Sequence, residues 1–360
     1  MEINTKDIIN TISLTGVVAG YKIEKREAKM MWDDERNGLK KGDTISQYVG
    51  YITVQTGENQ FATVNVQKNE NFFDGQPDYT TQALEAMSNE EVTTYYTTKD
   101  VTKTPTISVY RGVKIVDNYY VSNGELHETI RVDLGFGSIS LREPSDDPKF
   151  VNTFNVSGVV QSVEPEETKD GEETGRAVLK LLVPYTYGSK DNQVVRCMKL
   201  EVVAGICEDE EGEYDLGQML LDDADEVEGY SWQFVGELNG YYVEEEKPQE
   251  EGTRRGYGRR ATVQTNRQRK FEYRLTGLDI LQDGDAFSEE DIAEALQARE
   301  AHIAEMYKRD EERQQQPQEA KGGRGSFASG RTAGATTPKP AAGPAAGPAA
   351  GGRTRTRNFK

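Results

Sequence analysis

The sequence is poor in the side chains on which many enzymes and metal sites depend. It has only two cysteines and two histidines among 360 residues. Cys197 and Cys207 form no CxxC pair, and His127 and His302 are far apart in the chain. A Cys/His zinc site or thiol–imidazole catalysis is therefore hard to assemble. We expect both cysteines to be small buried hydrophobes, and we expect neither enzyme activity nor a metal or other cofactor.

Long apolar runs are also absent. No run approaches the ~20 residues that are needed to cross a bilayer. Glu2 and Asp7 stand where a secretory signal would have a basic region followed by an apolar one. Hydrophobic residues make up 35% of the chain, so the cores must be small and much of the chain must be loop or tail. We predict a soluble, cytoplasmic protein with no membrane partner.

Basic residues are outnumbered, but they are unevenly distributed. Lys and Arg number 43 against 62 Asp and Glu, for a net charge of −19. Residues 320–360 hold eight basic residues and no acid, which leaves −27 for the rest of the chain. This end is built from Gly, Ala, Pro, Ser and Thr and lacks the apolar content that ordering requires. We predict that residues 317–360 are a disordered basic Gly/Ala/Pro/Arg tail.

One sequence element occurs twice. The segment NTISLTGVV at 10–18 is repeated as NTFNVSGVV at 152–160, with five of nine residues identical and an offset of 142. The second copy follows 143–148 (EPSDDP), which has the composition of a linker. We therefore predict a duplicated domain, with the first copy at 1–145 and the second at 150–285.

Each copy has the pattern of β-strands. Apolar residues alternate with polar ones at Ile130, Val132, Leu134 and Phe136, and over 62–66. Further strand-like segments lie at 46–56, 106–116, 153–163, 176–185, 193–203, 230–238 and 270–281. Helices that could connect parallel strands are scarce, so we predict a mainly all-β protein of two small antiparallel barrels in tandem.

A helix is predicted at the end of the second copy, within 286–316. Ser288 and Asp291 form a capping box, and an apolar stripe follows on one face. The stripe consists of Ile292, Ala295, Leu296, Ile303, Met306 and Tyr307. The helix either packs on the second barrel or serves partner binding or self-association.

Motifs for nucleotide binding or catalysis are missing. There is no phosphate loop, and 135–140 (GFGSIS) lacks the third glycine and the helix of a dinucleotide fingerprint, so we interpret it as strand. The tract 208–251 holds 17 acids and one lysine, but without the regular spacing of a Ca²⁺ loop. We interpret this acidic tract as a solvated loop.

The most informative segment is basic. Residues 253–274 contain eight basic residues and one acid within an otherwise acidic body. Arginine forks bind phosphate oxygens, and aromatic or guanidinium planes stack on unpaired bases, so the segment favours single-stranded nucleic acid. Alternatively, the segment pairs with the acidic tract directly upstream. The candidate binding residues are Arg254, Arg255, Tyr257, Arg259, Arg260, Arg267, Arg269 and Lys270.

A weaker candidate lies early in the first copy, in the loop expected after the first strand, over residues 21–41. Its candidate binding residues are Tyr21, Lys22, Lys25, Arg26, Lys29 and Trp32. Five acids interrupt residues 21–41, so a solvated hairpin is an equal alternative. The chain is also rich in tyrosine, with 18 residues, and these could together form a stacking groove.

A strand that opens with Leu-Thr-Gly-Val-Val or Val-Ser-Gly-Val-Val, a charged hairpin after it, duplicated β units and an Arg/Gly-containing tail together resemble a known family. They are similar to tandem OB-fold single-stranded DNA-binding proteins of the bacteriophage type, over residues 8–282. The resemblance implies two OB-like barrels, a groove lined by 21–41 and 253–270, and protection of single strands during replication or recombination in a bacterial host cell. Replication or recombination proteins are implied as partners. The chain ends in RTRTRNFK rather than in an acidic tip, so recruitment through such a tip is not expected.

Two alternatives stay open. The protein could bind RNA instead of DNA, or it could be a viral structural or assembly protein whose duplicated β domains pack on neighbours. The feature that distinguishes strand binding from assembly is whether exposed aromatic side chains line the same face as the basic segment.

Overall fold

A computed structural model describes most of the chain. The described residues are 8–30, 33, 39–73, 76–168, 170–187, 194–209, 212–246, 265–281 and 287–315, with the backbone alone at 72–73, 187, 209, 241–246, 265–270 and 315. The predicted tail at 317–360 lies outside them. The fold is mainly β, with one long helix at the end of the described part, as predicted.

The first copy begins with three long strands that pair antiparallel in chain order. The third strand then pairs in parallel with β8, β8 pairs with β7, and β6 returns to β1. Its elements are β1 (Asn10–Lys29), β2 (Thr44–Gly57), β3 (Gln60–Asn69), β4 (Phe72–Phe73), β5 (Gln76–Pro77), α1 (Tyr79–Ser88), α2 (Tyr95–Thr98), a 3₁₀ turn (Val101–Lys103), β6 (Pro105–Tyr110), β7 (Lys114–Ser122), β8 (Glu125–Asp133) and β9 (Ser138–Pro144).

The second copy has the same meander, in which Val151–Glu167, Glu173–Tyr187 and Val194–Ala204 pair antiparallel in chain order. The third of these strands pairs in parallel with Thr265–Ile280. One long strand, Ser231–Glu246, then pairs with both Thr265–Ile280 and Val151–Glu167, whereas in the first copy two separate strands make these two pairings. Its elements are β10 (Val151–Glu167), β11 (Glu173–Tyr187), β12 (Val194–Ala204), β13 (Ile206–Asp209), β14 (Gly212–Asp215), α3 (Leu216–Asp222), α4 (Ala224–Val227), β15 (Ser231–Glu246), β16 (Thr265–Ile280) and α5 (Glu289–Gln315).

The repeated segments pair with each other. Strand β1 runs antiparallel to β10, with Ile12 opposite Phe154, and these two residues are separated by the repeat offset of 142. The flanking pairs, Asn10 with Val156 and Leu14 with Asn152, exchange under the same offset. A pseudo-twofold axis therefore passes between Ile12 and Phe154. The predicted division between two domains at 145–150 stays a prediction, since strands of both copies share one sheet and one core.

The asparagine that opens each repeat has the same structural role. Asn10 donates from Nδ2 to the Ile115 carbonyl at 2.8 Å and accepts the Ile115 N–H at 2.9 Å. Asn152 makes the same two bonds with Leu238, at 2.7 and 3.0 Å. Both asparagines are buried, and each substitutes for a peptide group of a neighbouring strand.

The repeated glycine has a common role as well. A Cβ atom on Gly16 would lie 1.9 Å from the Gln55 carbonyl oxygen, and one on Gly158 would lie 2.7 Å from the Leu182 carbonyl oxygen. Neighbouring backbone approaches too closely for a side chain at either position. In each copy the pairing register shifts between the second and the fourth residue after this glycine. The Gly-Val-Val signature thus marks the point where each first strand bends onto its second.

The predicted alternation of apolar and polar residues is confirmed where one face of a strand is buried. Ala62, Val64 and Val66 are in the core, and Val132 and Leu134 are buried too. Phe136 was wrongly included in the buried face of a strand. It lies in the turn between β8 and β9 and is 87% exposed, because Gly135 turns the chain with φ of 50°.

The acidic tract was wrongly interpreted as a solvated loop over its described part. Residues 212–227 form β14, α3 and α4, and 231–246 form β15. Leu216, Leu220 and Val227 enter the core while the acids stay outside. Each such apolar side chain contributes roughly 1.5–3 kcal/mol on burial, which is enough to order a charged segment.

Helix α5 joins both copies. Its predicted capping box is present, since Asp291 N–H donates to Ser288 Oγ at 3.1 Å and the Ser288 hydroxyl donates to Asp291 at 2.7 Å. The helix packs on β11 and β12, as predicted for the second copy, but it also packs on β7 of the first. There, buried Arg299 donates from Nε to Asp117 at 3.0 Å and from Nη2 to Glu128.

Candidate nucleic-acid interface

An open groove of about 610 Å³ runs across β1, β2 and β3. Tyr51 and Thr53 line it from β2, and Thr63 and Asn65 line it from β3. These residues are two apart on each strand, so their side chains leave the same face of the sheet. The register places Tyr51 opposite Asn65 and Thr53 opposite Thr63, while the intervening residue Ile52 enters the core.

Three half-exposed aromatic rings line this groove. Tyr51 is 43% exposed, Tyr96 of α2 is 40% exposed and Phe271 of β16 is 51% exposed. The first two belong to the first copy and the third belongs to the second. The groove is therefore assembled from both copies.

Two glycines leave room for the Tyr96 and Phe271 rings to pack against the backbone. A Cβ atom on Gly20 would lie 2.8 Å from Cδ2 of Tyr96, so that ring lies directly on the β1 backbone. A Cβ atom on Gly240 would lie 2.4 Å from the Phe61 carbonyl oxygen and 3.1 Å from Cε1 of Phe271. Phe61 in turn stacks on Tyr96, with 6.3 Å between ring centroids. The rings are thus held in place by close packing, which limits the entropy that a stacked ligand would have to remove.

Among the early candidates that the structure describes, Tyr21 alone lines the groove. Its hydroxyl donates to the Val92 carbonyl at 2.8 Å, and burial raises the pKa of this phenol. Because the hydroxyl is held, the ring is fixed at the groove wall.

The other early candidates lie on β1 and not in a loop, which corrects the prediction. Strand β1 continues as far as Lys29 because it pairs with β2 to the end, where Lys29 lies opposite Thr44. Trp32 lies outside the described residues. Lys22 is exposed and lies 3.2 Å from Glu24.

The other basic side chains of β1 form hydrogen bonds with neighbouring side chains. Lys25 donates to Glu70 at 2.9 Å, and that bond raises the pKa of the lysine. Arg26 donates to the side-chain oxygen of Gln47, and Lys29 donates to Thr44. These contacts favour the solvated hairpin over a binding surface for this segment.

The basic segment is described only in part. Arg254, Arg255, Tyr257, Arg259 and Arg260 lie outside the described residues.

The backbone of β16 carries the rest, with Arg267, Arg269 and Lys270 immediately before groove residue Phe271. Strand β15, the partner of β16, pairs with β3 at Gly240 opposite Phe61. The basic hairpin therefore begins at the aromatic groove. The alternative, in which the basic segment pairs with the acidic tract upstream, is also supported, because Glu244 lies opposite Arg267 in the strand pairing.

The equivalent face of the second copy is built differently. Following the pairing register, Val178, Lys180, Glu201 and Val203 occupy the positions of Tyr51, Thr53, Thr63 and Asn65. Lys180 donates to Glu164 at 2.7 Å, which lowers the pKa of the glutamate. The aromatic and neutral polar lining is thus specific to the first copy, whereas the fold is common to both.

Sequence reasoning missed most of the groove. Tyr51, Thr53, Thr63, Asn65 and Tyr96 were not among the predicted site residues. The available signal was the pattern Tyr-x-Thr on β2 and Thr-x-Asn on β3, in which polar or aromatic residues alternate with buried ones.

Within the described part of the chain, no helix is long and apolar enough to span a membrane. The same residues contain no group of three or more His, Cys, Asp or Glu side chains placed to hold a metal ion.

Comparison with known proteins gives one clear result. The chain matches no curated protein. A family model described as YorF matches residues 10–309, which include both repeats, the groove and most of α5. The chain therefore belongs to the YorF family.

Proposed function

We propose that this protein binds single-stranded DNA without catalysing a reaction, and that it protects exposed strands during replication or recombination of a phage genome. The observation that carries the proposal is the groove in which Tyr51, Tyr96 and Phe271 are each about half exposed. Soluble proteins rarely leave several aromatic rings exposed along one groove unless a ligand covers them.

The pairing order supports an OB-like barrel for each copy. In both copies the first three strands form a meander, and the third strand pairs in parallel with a later one. In the second copy that later strand pairs with β15, which itself returns to β10, whereas in the first copy it pairs with β7 and the neighbouring strand β6 returns to β1. Helices lie between the third strand and that returning strand, α1 and α2 in one copy and α3 and α4 in the other. In OB folds, the face of the second and third strands binds oligonucleotides, and the groove lies on that face in the first copy.

The energetics favour single strands. Stacking on an aromatic side chain contributes roughly 1–3 kcal/mol per base, and unpaired bases are needed for it. The arginines of 254–270 would contribute phosphate contacts beside the groove. A duplex would have to approach a body with strong negative charge while offering no base faces to the rings. Binding should therefore follow a local stripe and not cover the whole surface.

The rival function is assembly into a virion or a similar structure. It predicts that exposed aromatics are spread over the surface or are away from the basic segment. Exposed aromatic side chains do occur outside the groove, as assembly would predict, at Tyr79, Tyr120, Phe136, Phe150 and Tyr230. Phe271, however, lies one residue from Lys270 and lines the same groove as Tyr51. This juxtaposition favours strand binding.

The first test is fluorescence anisotropy with labelled oligo-dT, oligo-rU and a duplex at several salt concentrations. We expect tight binding to oligo-dT, weaker binding to duplex, and a slope of log K against log salt of about −0.7 per neutralised phosphate. Tighter binding to oligo-rU would make the protein an RNA-binding one. No binding to any of the three at low salt would refute the proposal and favour the assembly function.

Variants separate the groove from the basic segment. Tyr51→Ala or Phe271→Ala should each weaken oligo-dT binding by about tenfold without changing the salt slope, since each removes one stacking surface. The matched control is Tyr120→Ala, because Tyr120 is equally exposed at 51% but stacks on His127 of β8 outside the groove.

A second variant tests the basic segment. Changing Arg254, Arg255, Arg259 and Arg260 together to Ala should weaken binding and flatten the salt slope. If the control loses as much affinity as the groove variants, or the arginine variant keeps its slope, the assigned site is wrong.

A further inference from the structure

The hairpin of β15 and β16 connects the second copy to the groove of the first. Strand β15 pairs with β10 of its own copy as far as Gly236, and it then meets β3 of the first copy, where Gly240 lies opposite Phe61. Strand β16 accompanies β15 along this crossing. The two strands stay in register from Gly236 to Glu246, so each residue beyond the groove can be assigned to one of the two faces of the hairpin.

One face of the hairpin leads from the core into the groove. Leu238 and Tyr273 lie opposite each other on this face, and both pack in the core, where the Tyr273 ring meets the Phe154 ring edge-on at 5.9 Å between centroids. The next pair on the same face is Gly240 with Phe271, and Phe271 lines the groove. The row of residues that faces the core in the second copy therefore faces the groove where the hairpin reaches the first copy.

The other face of the hairpin is turned towards the second copy. Glu272 of this face accepts from Arg176 of β11 at 3.1 Å, and Arg274 donates to the Ile206 carbonyl of β13 at 2.7 Å. Neither Glu272 nor Arg274 lines the groove. These contacts hold this face against the strands of its own copy.

Beyond Phe271 the two faces carry different residues. The groove-facing row continues with two cross-strand pairs that each contain an arginine, namely Tyr242 with Arg269 and Glu244 with Arg267. The other row continues with Tyr241 opposite Lys270 and Val243 opposite Gln268. Each step of two residues advances about 6.6 Å along a strand, so the pair of Tyr242 and Arg269 follows directly on the groove.

We infer that a strand bound in the groove continues onto this face of the hairpin, where Tyr242 and Arg269 extend the site. The inference rests on the proposed function and adds a path to it, from the sheet of the first copy onto a hairpin of the second. Tyr242 supplies a further stacking surface, and Arg269 supplies a phosphate contact. Glu244 offsets the charge of Arg267 opposite it, so the phosphate contact is assigned to Arg269. Lys270 lies on the other face and is outside the path, although it belongs to the basic segment.

The test uses neighbouring residues of the same kind that lie on opposite faces. Tyr242→Ala is compared with Tyr241→Ala, and Arg269→Gln is compared with Lys270→Gln. The assay is fluorescence anisotropy of the full chain with labelled oligo-dT at several salt concentrations. Within each comparison the same kind of group is lost from adjacent or nearly adjacent positions of one hairpin, so general effects of charge and folding cancel. Tyr242→Phe keeps the ring, and thermal melts establish that each variant is folded.

We expect Tyr242→Ala to weaken oligo-dT binding about tenfold and Tyr242→Phe to stay within about twofold of the wild type. Arg269→Gln should weaken binding and reduce the steepness of the salt slope by about 0.7, the value for one phosphate contact with a single strand. Tyr241→Ala and Lys270→Gln should each change the affinity by less than about twofold.

Equal losses for the two faces, or larger losses for Tyr241→Ala and Lys270→Gln, would overturn the path along the hairpin while leaving strand binding intact. Wild-type affinity in Tyr242→Ala and Arg269→Gln, together with a loss in Tyr51→Ala, would overturn it as well. Absence of oligo-dT binding by the wild type at low salt would instead refute the proposed function itself.

Discussion

The buried arginine of α5 allows a quantitative prediction. Arg299 lies between the copies and is paired with Asp117, whose side chain is fully buried. Arg299→Met keeps most of the packing volume but leaves the Asp117 carboxylate without its charge partner. Asp117 already has a raised pKa because burial disfavours its charged form, and Oδ1 has no partner among the described residues.

The magnitude follows from the protonation of Asp117. Without Arg299, the cost at pH 7 has an upper limit, because the buried carboxyl can take up a proton: holding a carboxyl with an ordinary pKa of 3.8 protonated at pH 7 costs about 4.4 kcal/mol. This value lies within the ~3–5 kcal/mol range for breaking a buried pair. At pH 5 the same reasoning gives about 1.6 kcal/mol. The sign is set by the raised pKa: stability falls as pH rises above 3.8, and it falls further in the variant.

The assay is urea unfolding of the wild type and Arg299→Met at pH 5 and pH 7. Removing both charges, as Arg299→Met with Asp117→Asn, should recover part of the loss, since the buried carboxylate is removed together with its guanidinium partner. Arg309→Met is the surface control, because Arg309 pairs with Glu305 at 3.3 Å in solvent and should cost less than about 1 kcal/mol. A loss at pH 7 no larger than that of the control, or a loss that does not shrink at pH 5, would refute the reasoning.

Two further predictions concern the groove and the repeat. Gly20→Ala should displace the Tyr96 ring and weaken oligo-dT binding about threefold to tenfold with little change in the melting temperature. Anisotropy titrations should show no additional loss in a Tyr96→Ala background, and an equal loss there would mean that the glycine acts by another route. Asn152→Ala should cost about 2–4 kcal/mol in urea unfolding, because the Leu238 peptide groups lose both bonds, and Asn10→Ala should cost a similar amount. A clear difference between the two asparagines would contradict their equivalence.

The repeated unit, its β character and the long helix could all be predicted from the amino-acid sequence. These depend on local patterns: the Gly-Val-Val segment at each first strand, alternation at 62–66, and the capping box at Ser288. Each of these signals lies within a few residues and directly favours one local backbone conformation. The helix stripe was correct as well, but Arg299 in its middle was not recognised, because a charge enters a buried face only when a distant acid such as Asp117 meets it.

The tertiary structure decided where the candidate site lies. Phe271 joins Tyr51 only because β15 reaches β3 at a single pair, Gly240 with Phe61. No local pattern encodes contacts between residues more than two hundred positions apart. Long-range pairing also decided the conformation of the early basic residues. They lie in a strand because β2 pairs with β1 as far as Lys29. Local propensity and charge thus fixed the elements, whereas long-range strand pairing fixed which side chains share a groove.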